Sequence, residues 1–151
     1  MKLFLLPLLL SAVGTIASGQ SAKHVQWSYT AKKIADQTYE VHLKATIDEG
    51  YHLYAQNADA NAAAATKFTF TRNPLTSLEG SVKENGNAIR KFETALKQDI
   101  KYYEKEVDFV QVVKLKRSAK TNLSGKIEFV VCNEKLCLPA SEVELQVYIG
   151  S

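Results

Sequence analysis

The residues from Thr38 to Asp48 alternate between apolar and polar side chains without interruption. Strict alternation over such a length is typical of a β-strand that buries one face. We expect the apolar set to face the core; it comprises Tyr39, Val41, Leu43, Ala45 and Ile47. The run from Val143 to Ile149 repeats the pattern, which predicts a second half-buried strand near the end of the chain.

Five further runs are predicted as weaker strands: 24–30, 67–72, 78–83, 106–116 and 126–132. Turn-forming residues such as Gly50, Pro74 and Gly86 separate them. Short strands without helical periodicity predict an all-β domain, a sandwich of two antiparallel sheets. Two segments fit this pattern poorly. Residues 58–66 are interpreted as a loop with at most one helical turn, and residues 91–100 as a short helix or an irregular excursion between strands.

The first 19 residues are predicted to be a cleaved signal peptide. Lys2 precedes an apolar run from Leu3 to Val13, and the small residues Ala17 and Gly19 precede a cut ahead of Gln20. The apolar run is too short to span a bilayer easily. We therefore expect a secreted protein with a single domain in residues 20–151.

The charge of the chain is small and evenly spread. Its 19 Lys and Arg against 16 Asp and Glu give a net charge of +3, and loss of residues 1–19 removes one lysine and no acid, which lowers it to +2. No dense basic stripe of the kind that binds phosphates is present, so we expect no nucleic-acid partner. The sequence also has no glycine-rich phosphate loop and no nucleophile elbow.

The only two cysteines, Cys132 and Cys137, flank a polar turn between a strand-like run and the last strand. This arrangement predicts two short strands with their sulfurs within bonding reach, and at least one sulfur near solvent. The strand pattern predicts that Cys132 lies on the face opposite Ile127, Phe129 and Val131, so it need not belong to the main core. Pro139, which lacks an amide proton, is expected to interrupt normal strand pairing there.

The spacing alone leaves open whether the pair is a structural disulfide or a redox switch. As a staple, a disulfide that closes so short a loop contributes only about 2 kcal/mol to the free energy of unfolding. Lys135 would stabilise a thiolate and Glu134 would oppose it, so their net effect has no predictable sign. Cys132 and Cys137 have no histidine near them in sequence, so they do not form a convincing zinc set, and we expect no metal.

The segment from Cys132 to Pro139, Cys-Asn-Glu-Lys-Leu-Cys-Leu-Pro, resembles the cysteine motif in the N-terminal periplasmic domain of the thiol:disulfide interchange protein DsbD. The segment from Gly50 to Gln56, Gly-Tyr-His-Leu-Tyr-Ala-Gln, is similar to a Gly-aromatic-x-Leu-Tyr segment of that family. The order and spacing of these motifs match across residues 25–149. This chain departs from the family in having Pro139-Ala140 where members often have two prolines.

The resemblance implies an immunoglobulin-like antiparallel β-sandwich with a redox-active cysteine pair that needs no cofactor. In the family the second cysteine forms the mixed disulfide, so Cys137 would attack and Cys132 would resolve. Tyr51 and Tyr54 match family tyrosines near the pair and would pack over the sulfurs and shield them, although ordinary sheet packing would also explain them. Phe92 is the candidate for the aromatic residue of a cap loop that shields the sulfurs.

The resemblance also implies a periplasmic monomer. Its electron donor would be a thioredoxin-like domain or a membrane electron transporter on a separate chain, because the 151 residues contain no counterpart of either. Its acceptors would be periplasmic thiol-disulfide proteins. The alternative function is a non-catalytic secreted β-sandwich that binds another protein and uses the disulfide only to hold a hairpin.

Overall fold

The computed structural model describes residues 19–57, 63–94 and 97–150, and these residues form β-strands and turns without a helix. The strands are β1 (Gly19–Ala22), β2 (Val25–Ala35), β3 (Thr38–Ile47), β4 (His52–Tyr54), β5 (Lys67–Phe70), β6 (Thr76–Asn85), β7 (Ile89–Glu93), β8 (Gln98–Tyr103), β9 (Glu106–Leu115), β10 (Thr121–Phe129), β11 (Val131–Cys132) and β12 (Ser141–Ile149). Within the described ranges, no helix is long and apolar enough to cross a membrane. The predicted signal peptide lies outside the described residues except for Gly19, where β1 begins.

The strands form three antiparallel sheets. A five-stranded sheet has the order β1-β2-β3-β9-β6, and a three-stranded sheet has the order β12-β10-β5. A four-stranded sheet has the order β11-β4-β8-β7 and carries one of the cysteines. The all-β prediction with antiparallel pairing is therefore confirmed.

The main core takes most of its residues from the five-stranded and the three-stranded sheets, and the four-stranded sheet adds Leu53, Tyr103 and Val131. All five apolar residues of the alternating run in β3 are buried, and so are the four predicted in β12. Trp27 of β2 connects the two sheets, since its ring packs against Phe109 of β9, Phe68 of β5 and Phe129 of β10 at centroid distances of 5.9, 6.3 and 5.5 Å. The period-two pattern identified these inward faces because the buried face of a strand recurs at every second residue.

The described residues of the segment 91–100 form neither a short helix nor an irregular excursion, so that interpretation was wrong. Residues 91–93 belong to β7 and residues 98–100 to β8, and Lys91 pairs with Ile100 and Phe92 with Asp99. Ile100 is buried. Backbone pairing with β8 and the burial of this side chain outweigh the weak helix propensity of the segment, as tertiary context often does.

The remaining differences concern short or edge strands. The prediction missed β1, β4, β7 and β8, whose lengths of three to six residues leave little room for a periodic signal. In the segment interpreted as a loop, residues 58–62 lie outside the described part of the chain, and residues 63–66 form a turn that buries Ala64 and Ala65.

Candidate functional site: a disulfide beside an open cleft

Cys132 and Cys137 are joined by a disulfide, with their Cα atoms 4.0 Å apart. The two residues form an isolated antiparallel bridge, and the amide of Leu138 donates a hydrogen bond of 2.9 Å to the carbonyl oxygen of Val131. Pairing is interrupted at Pro139 and resumes with Ser141 of β12, which pairs with β10. The predicted hairpin with a sulfur on each side is present, but only Cys132 belongs to a strand, because Cys137 pairs as a single bridge residue.

Asn133 holds the turn between the cysteines. Its side-chain oxygen accepts hydrogen bonds from the amides of Lys135 and Leu136, at 2.8 and 2.9 Å, and its own amide donates to the carbonyl of Leu136 at 2.9 Å. An asparagine that bonds to the backbone two and three residues ahead is a common turn former. The turn therefore keeps its shape through local bonds of its own.

The two sulfur-bearing residues differ in exposure. Cys132 is 1% exposed, whereas Cys137 lies at the surface. Cys132 packs in a small cluster with Tyr54, Ala64, Ala65 and Ile100, separate from the main core that contains Ile127, Phe129 and Val131. Both sequence predictions, one surface cysteine and a Cys132 outside the main core, are confirmed. An incoming thiolate thus meets Cys137 first.

The disulfide lines an open cleft of about 1300 Å³. The turn between the cysteines, the segment from Gly50 to Tyr54, and residues of β7 and β8 supply the other sides. Its charged residues have both signs, so the cleft does not select strongly for a partner of one charge; they are Asp48, Glu49, Lys91, Glu104, Lys105, Glu106, Glu134 and Lys135.

The two tyrosines singled out in the sequence line this cleft together with both cysteines. Tyr54 is 9% exposed and packs in the same small cluster as Cys132. Tyr51 is half-buried and stacks on His24, with ring centroids 4.0 Å apart and planes 9° apart. The structure thus brings Tyr51, Tyr54 and the cysteine pair together, which is the precondition for the shielding role predicted for the tyrosines.

Phe92, the predicted cap residue, is not brought to the disulfide. Its side chain is 59% exposed and does not line the cleft. Lys91 and its partner Ile100 lie on the hairpin face that lines the cleft, and the neighbouring pair of Phe92 and Asp99 belongs to the opposite face because successive side chains alternate. A shielding role for Phe92 stays a prediction.

His52 is the cleft residue that sequence reasoning passed over, because the three histidines are far apart along the chain. In the structure β4 pairs with β11, and this register places His52 directly opposite Cys132. Its ring packs against those of Tyr102 and Tyr54, at centroid distances of 4.5 and 5.5 Å. A strand of three residues offers no local signal from which the pairing could be predicted.

Burial lowers the pKa of His52 below its ordinary value, and the nearby Lys91 lowers this pKa further, while Glu104 opposes the shift. Loss of hydration disfavours the charged imidazolium, so the ring is neutral at pH 7. A neutral imidazole at this position can accept a proton.

Glu84 of β6 ties the four-stranded sheet to the five-stranded sheet. Its carboxylate, 10% exposed, accepts hydrogen bonds of 2.6 Å from both Lys101 and Tyr103 of β8 and of 2.7 Å from the amide of Gln56. Burial by itself would raise the pKa of Glu84, but these hydrogen bonds together hold the pKa below its usual range. The carboxylate therefore stabilises the β8 strand that lines the cleft.

We expect Glu84→Gln to lower the free energy of unfolding by about 2 kcal/mol at pH 7, the usual loss for hydrogen bonds to a charged group. Because the folded-state pKa is depressed, this contribution is complete above the unfolded-state pKa of about 4.3 and disappears as the pH falls through the folded-state value. Urea unfolding at pH 7 and pH 3 measures both effects.

The matched control is Glu79→Gln on the same strand, where the carboxylate is exposed. It should change stability by less than about 0.5 kcal/mol. Equal losses in the two variants, or a Glu84→Gln loss that persists undiminished at pH 3, would contradict an ionised, hydrogen-bonded Glu84.

Among the described residues, no three His, Cys, Asp or Glu side chains are grouped so that they could hold a metal ion.

Comparison with known proteins identifies the family. Residues 21–147 match the family model described as thiol:disulfide interchange protein DsbD, N-terminal. No curated protein sequence is significantly similar to the chain.

Two solved structures resemble the fold. The N-terminal periplasmic domain of ScsB from Proteus mirabilis superposes with a TM-score of 0.62 at 17% identity, covering 86% of this chain and 49% of that one. This chain therefore spans about half the length of that structure. The N-terminal domain of Neisseria meningitidis DsbD in its reduced form gives a TM-score of 0.51 at 14% identity, covering 82% of this chain and 86% of that one.

At such identities the likeness concerns the fold, and it confirms the predicted immunoglobulin-like β-sandwich. The family model covers most of the chain, including both cysteines and the segment from Gly50 to Gln56. The chain belongs to the family of the N-terminal domain of the thiol:disulfide interchange protein DsbD.

Proposed function

We propose that this chain is a thiol–disulfide exchange domain that carries two electrons on the Cys132–Cys137 pair. The observation that carries the proposal is the asymmetry of the disulfide, which joins an exposed cysteine to a buried one beside an open cleft. A disulfide placed only for stability gains little here, because it closes a loop of six residues counting both cysteines. Family membership supports the same function.

The exchange follows the usual chemistry of thiols. When the domain reduces a partner, the Cys137 thiolate attacks one sulfur of the partner's disulfide, and the partner's other sulfur leaves as a thiolate. The Cys132 thiolate then attacks the Cys137 sulfur, reforms the internal disulfide and releases the partner's second thiolate. Two electrons pass to the partner, and the same steps in reverse reduce the domain. The buried position of Cys132 suits the intramolecular step.

The proposed partners are proteins that present a thiol pair. The donor is a thioredoxin-like domain or a membrane electron transporter, and the acceptors are periplasmic thiol-disulfide proteins. The matched ScsB structure is a periplasmic domain, which together with the predicted signal peptide supports a periplasmic location for this chain.

We propose that the domain acts as a monomer without a cofactor, and that Tyr51 and Tyr54 restrict access to the sulfurs from the cleft that they line.

The decisive experiment is a redox titration in glutathione buffers, with thiols counted by alkylation and folding followed by circular dichroism. We expect the pair to be reduced at a potential between those of thioredoxin and the glutathione couple, with the fold retained. The fold should survive because the lost cross-link contributes about 2 kcal/mol against a total stability of roughly 5–15 kcal/mol.

A pair that stays oxidised until the protein unfolds would contradict the proposal. The disulfide would then be a hairpin staple, and the domain would be a non-catalytic binding module. Coincident loss of the disulfide and of the circular dichroism signal is the signature of that outcome.

A further inference from the structure

The position of His52 gives the buried cysteine a proton-transfer group. Residues directly opposite each other in an antiparallel pair have Cβ atoms about 4.5–5.5 Å apart and point to the same side. His52 and Cys132 are such a pair, and both line the cleft. An imidazole can reach across this separation to a thiol directly or through one water molecule.

Neighbouring aromatic rings hold the imidazole ring of His52 in place. Tyr54 and Tyr102 pack against the ring, and in the described part of the chain neither ring nitrogen has a hydrogen bond to a protein group. The titratable and charged groups that face it come from its own strand, from β7 and β8, from the turn between the cysteines and from the turn before β4. They are Tyr54, Lys91, Tyr102, Glu104, Glu134 and Lys135, with Asp48 and Glu49 beyond.

These groups leave the imidazole as the candidate proton acceptor beside Cys132. As a class of side chain, an imidazole accepts a proton at neutral pH more readily than a phenol, an ammonium group or a carboxylate. The lowered pKa of His52 keeps its ring neutral and able to accept a proton at pH 7.

We propose that His52 accepts the proton of the Cys132 thiol in the resolving step of exchange and returns it in the reverse direction. The inference rests on the proposed function and adds the group that makes a buried resolving thiol reactive. Burial raises the pKa of a thiol, so without a base Cys132 would stay protonated and unreactive at neutral pH.

With the partner bound to Cys137 as a mixed disulfide, neutral His52 takes the proton of Cys132 and becomes an imidazolium. The Cys132 thiolate attacks the Cys137 sulfur, the internal disulfide forms, and the partner leaves as a thiolate. The imidazolium then loses its proton to solvent. In the reverse direction the imidazolium protonates Cys132 as that thiolate leaves the disulfide.

The test separates the two sulfur steps with a small aromatic disulfide, dithiobis(nitrobenzoate), whose thiolate product is coloured. Mixed with the reduced protein, it should release one product when Cys137 attacks and a second when Cys132 closes the internal disulfide. The second phase is intramolecular and independent of reagent concentration. We expect His52→Gln and His52→Phe to slow only this phase, by about 10-fold or more at pH 7, as removal of a general base does.

The pH profile distinguishes proton transfer from a structural effect. As the pH rises above the ordinary thiol pKa of about 8.5, hydroxide replaces the base, and the wild type and both variants should converge. The phenylalanine variant retains a ring between Tyr54 and Tyr102, and the glutamine variant retains polarity, so equal slowing in both points to the lost base. His42→Gln is the control, because His42 is hydrogen-bonded to Asp108 away from the cleft and should leave both phases unchanged.

Two outcomes would overturn the role of His52 while leaving exchange intact: variants with wild-type rates, or slowing by the same factor at every pH. Failure of the proposed function looks different, since the pair of the wild type could then not be reduced without unfolding the protein. Circular dichroism of each variant identifies any that have lost the fold. If both variants have lost the fold, the test uses His52→Ala with imidazole added in solution, which can enter the open cleft. The inference is contradicted if added imidazole fails to accelerate the second phase of His52→Ala at pH 7.

Discussion

The Cys132→Ser variant should accumulate a long-lived mixed disulfide with its partner on Cys137. Cys137 is exposed at the cleft and keeps the attacking role that we propose for it, while the proposed resolving thiol is gone. Release of the partner then depends on an external thiol. We expect the adduct to survive at least about 100 times longer than in the wild type, since a well-placed internal thiol acts at a very high effective concentration. Non-reducing electrophoresis and mass spectrometry measure the adduct.

Cys137→Ser is the matched control, because it also leaves a single thiol. That thiol belongs to Cys132, which is 1% exposed and must open locally before it reacts. If opening costs about 3 kcal/mol, the rate of adduct formation falls roughly 100-fold relative to Cys132→Ser. Equal rates for the two variants would contradict the assignment of Cys137 as the attacking cysteine.

Gly125→Ala should destabilise the fold more than an ordinary surface change. Gly125 is in β10 between β5 and β12, and an added Cβ would overlap the backbone oxygen of Thr69 and lie 3.0 Å from the Cα of Phe70. Backbone of a paired strand cannot move aside as a flexible side chain can. We expect a loss of about 3 kcal/mol or more in the free energy of unfolding, at the upper end for an overpacked site.

Urea unfolding followed by tryptophan fluorescence measures this loss, because the chain has one tryptophan and Trp27 is fully buried in the main core. The control is Gly80→Ala. No atom lies within 4 Å of an added Cβ there, and only the positive φ of +68° opposes the change. That backbone conformation costs an L-residue roughly 1–2 kcal/mol. A Gly125→Ala loss no larger than the control would argue against the close pairing of β5 with β10.

The separation between the two apolar clusters explains how such a domain can undergo redox chemistry while it keeps its fold. The main core joins the five-stranded and three-stranded sheets around Trp27. Cys132 belongs to the smaller cluster, together with Tyr54, Ile100 and two alanines. We therefore expect reduction to relax mainly the hairpin between the cysteines and the smaller cluster, although Leu53 and Val131 beside it belong to the main core.

The features that could be predicted from the sequence are those encoded by near neighbours. Alternation in β3 and β12 identified the buried faces because side chains of a strand point alternately to its two sides. The polar turn between Cys132 and Cys137 predicted the hairpin because a six-residue segment closes on itself without help from the rest of the chain. Resemblance over the cysteine motif then identified the family.

The features that only the tertiary structure decided depend on pairings between distant residues. His52 is opposite Cys132 because β4 pairs with β11, and Glu84 meets Lys101 because β6 and β8 approach each other. Phe92 lies away from the disulfide because the register of β7 on β8 turns Lys91 toward the cleft. Strand register between distant segments follows from the packing of the whole domain, and a shift of one residue would reverse every one of these faces. Local pattern therefore determined the sandwich and the disulfide hairpin, whereas long-range register decided which side chains surround the sulfurs.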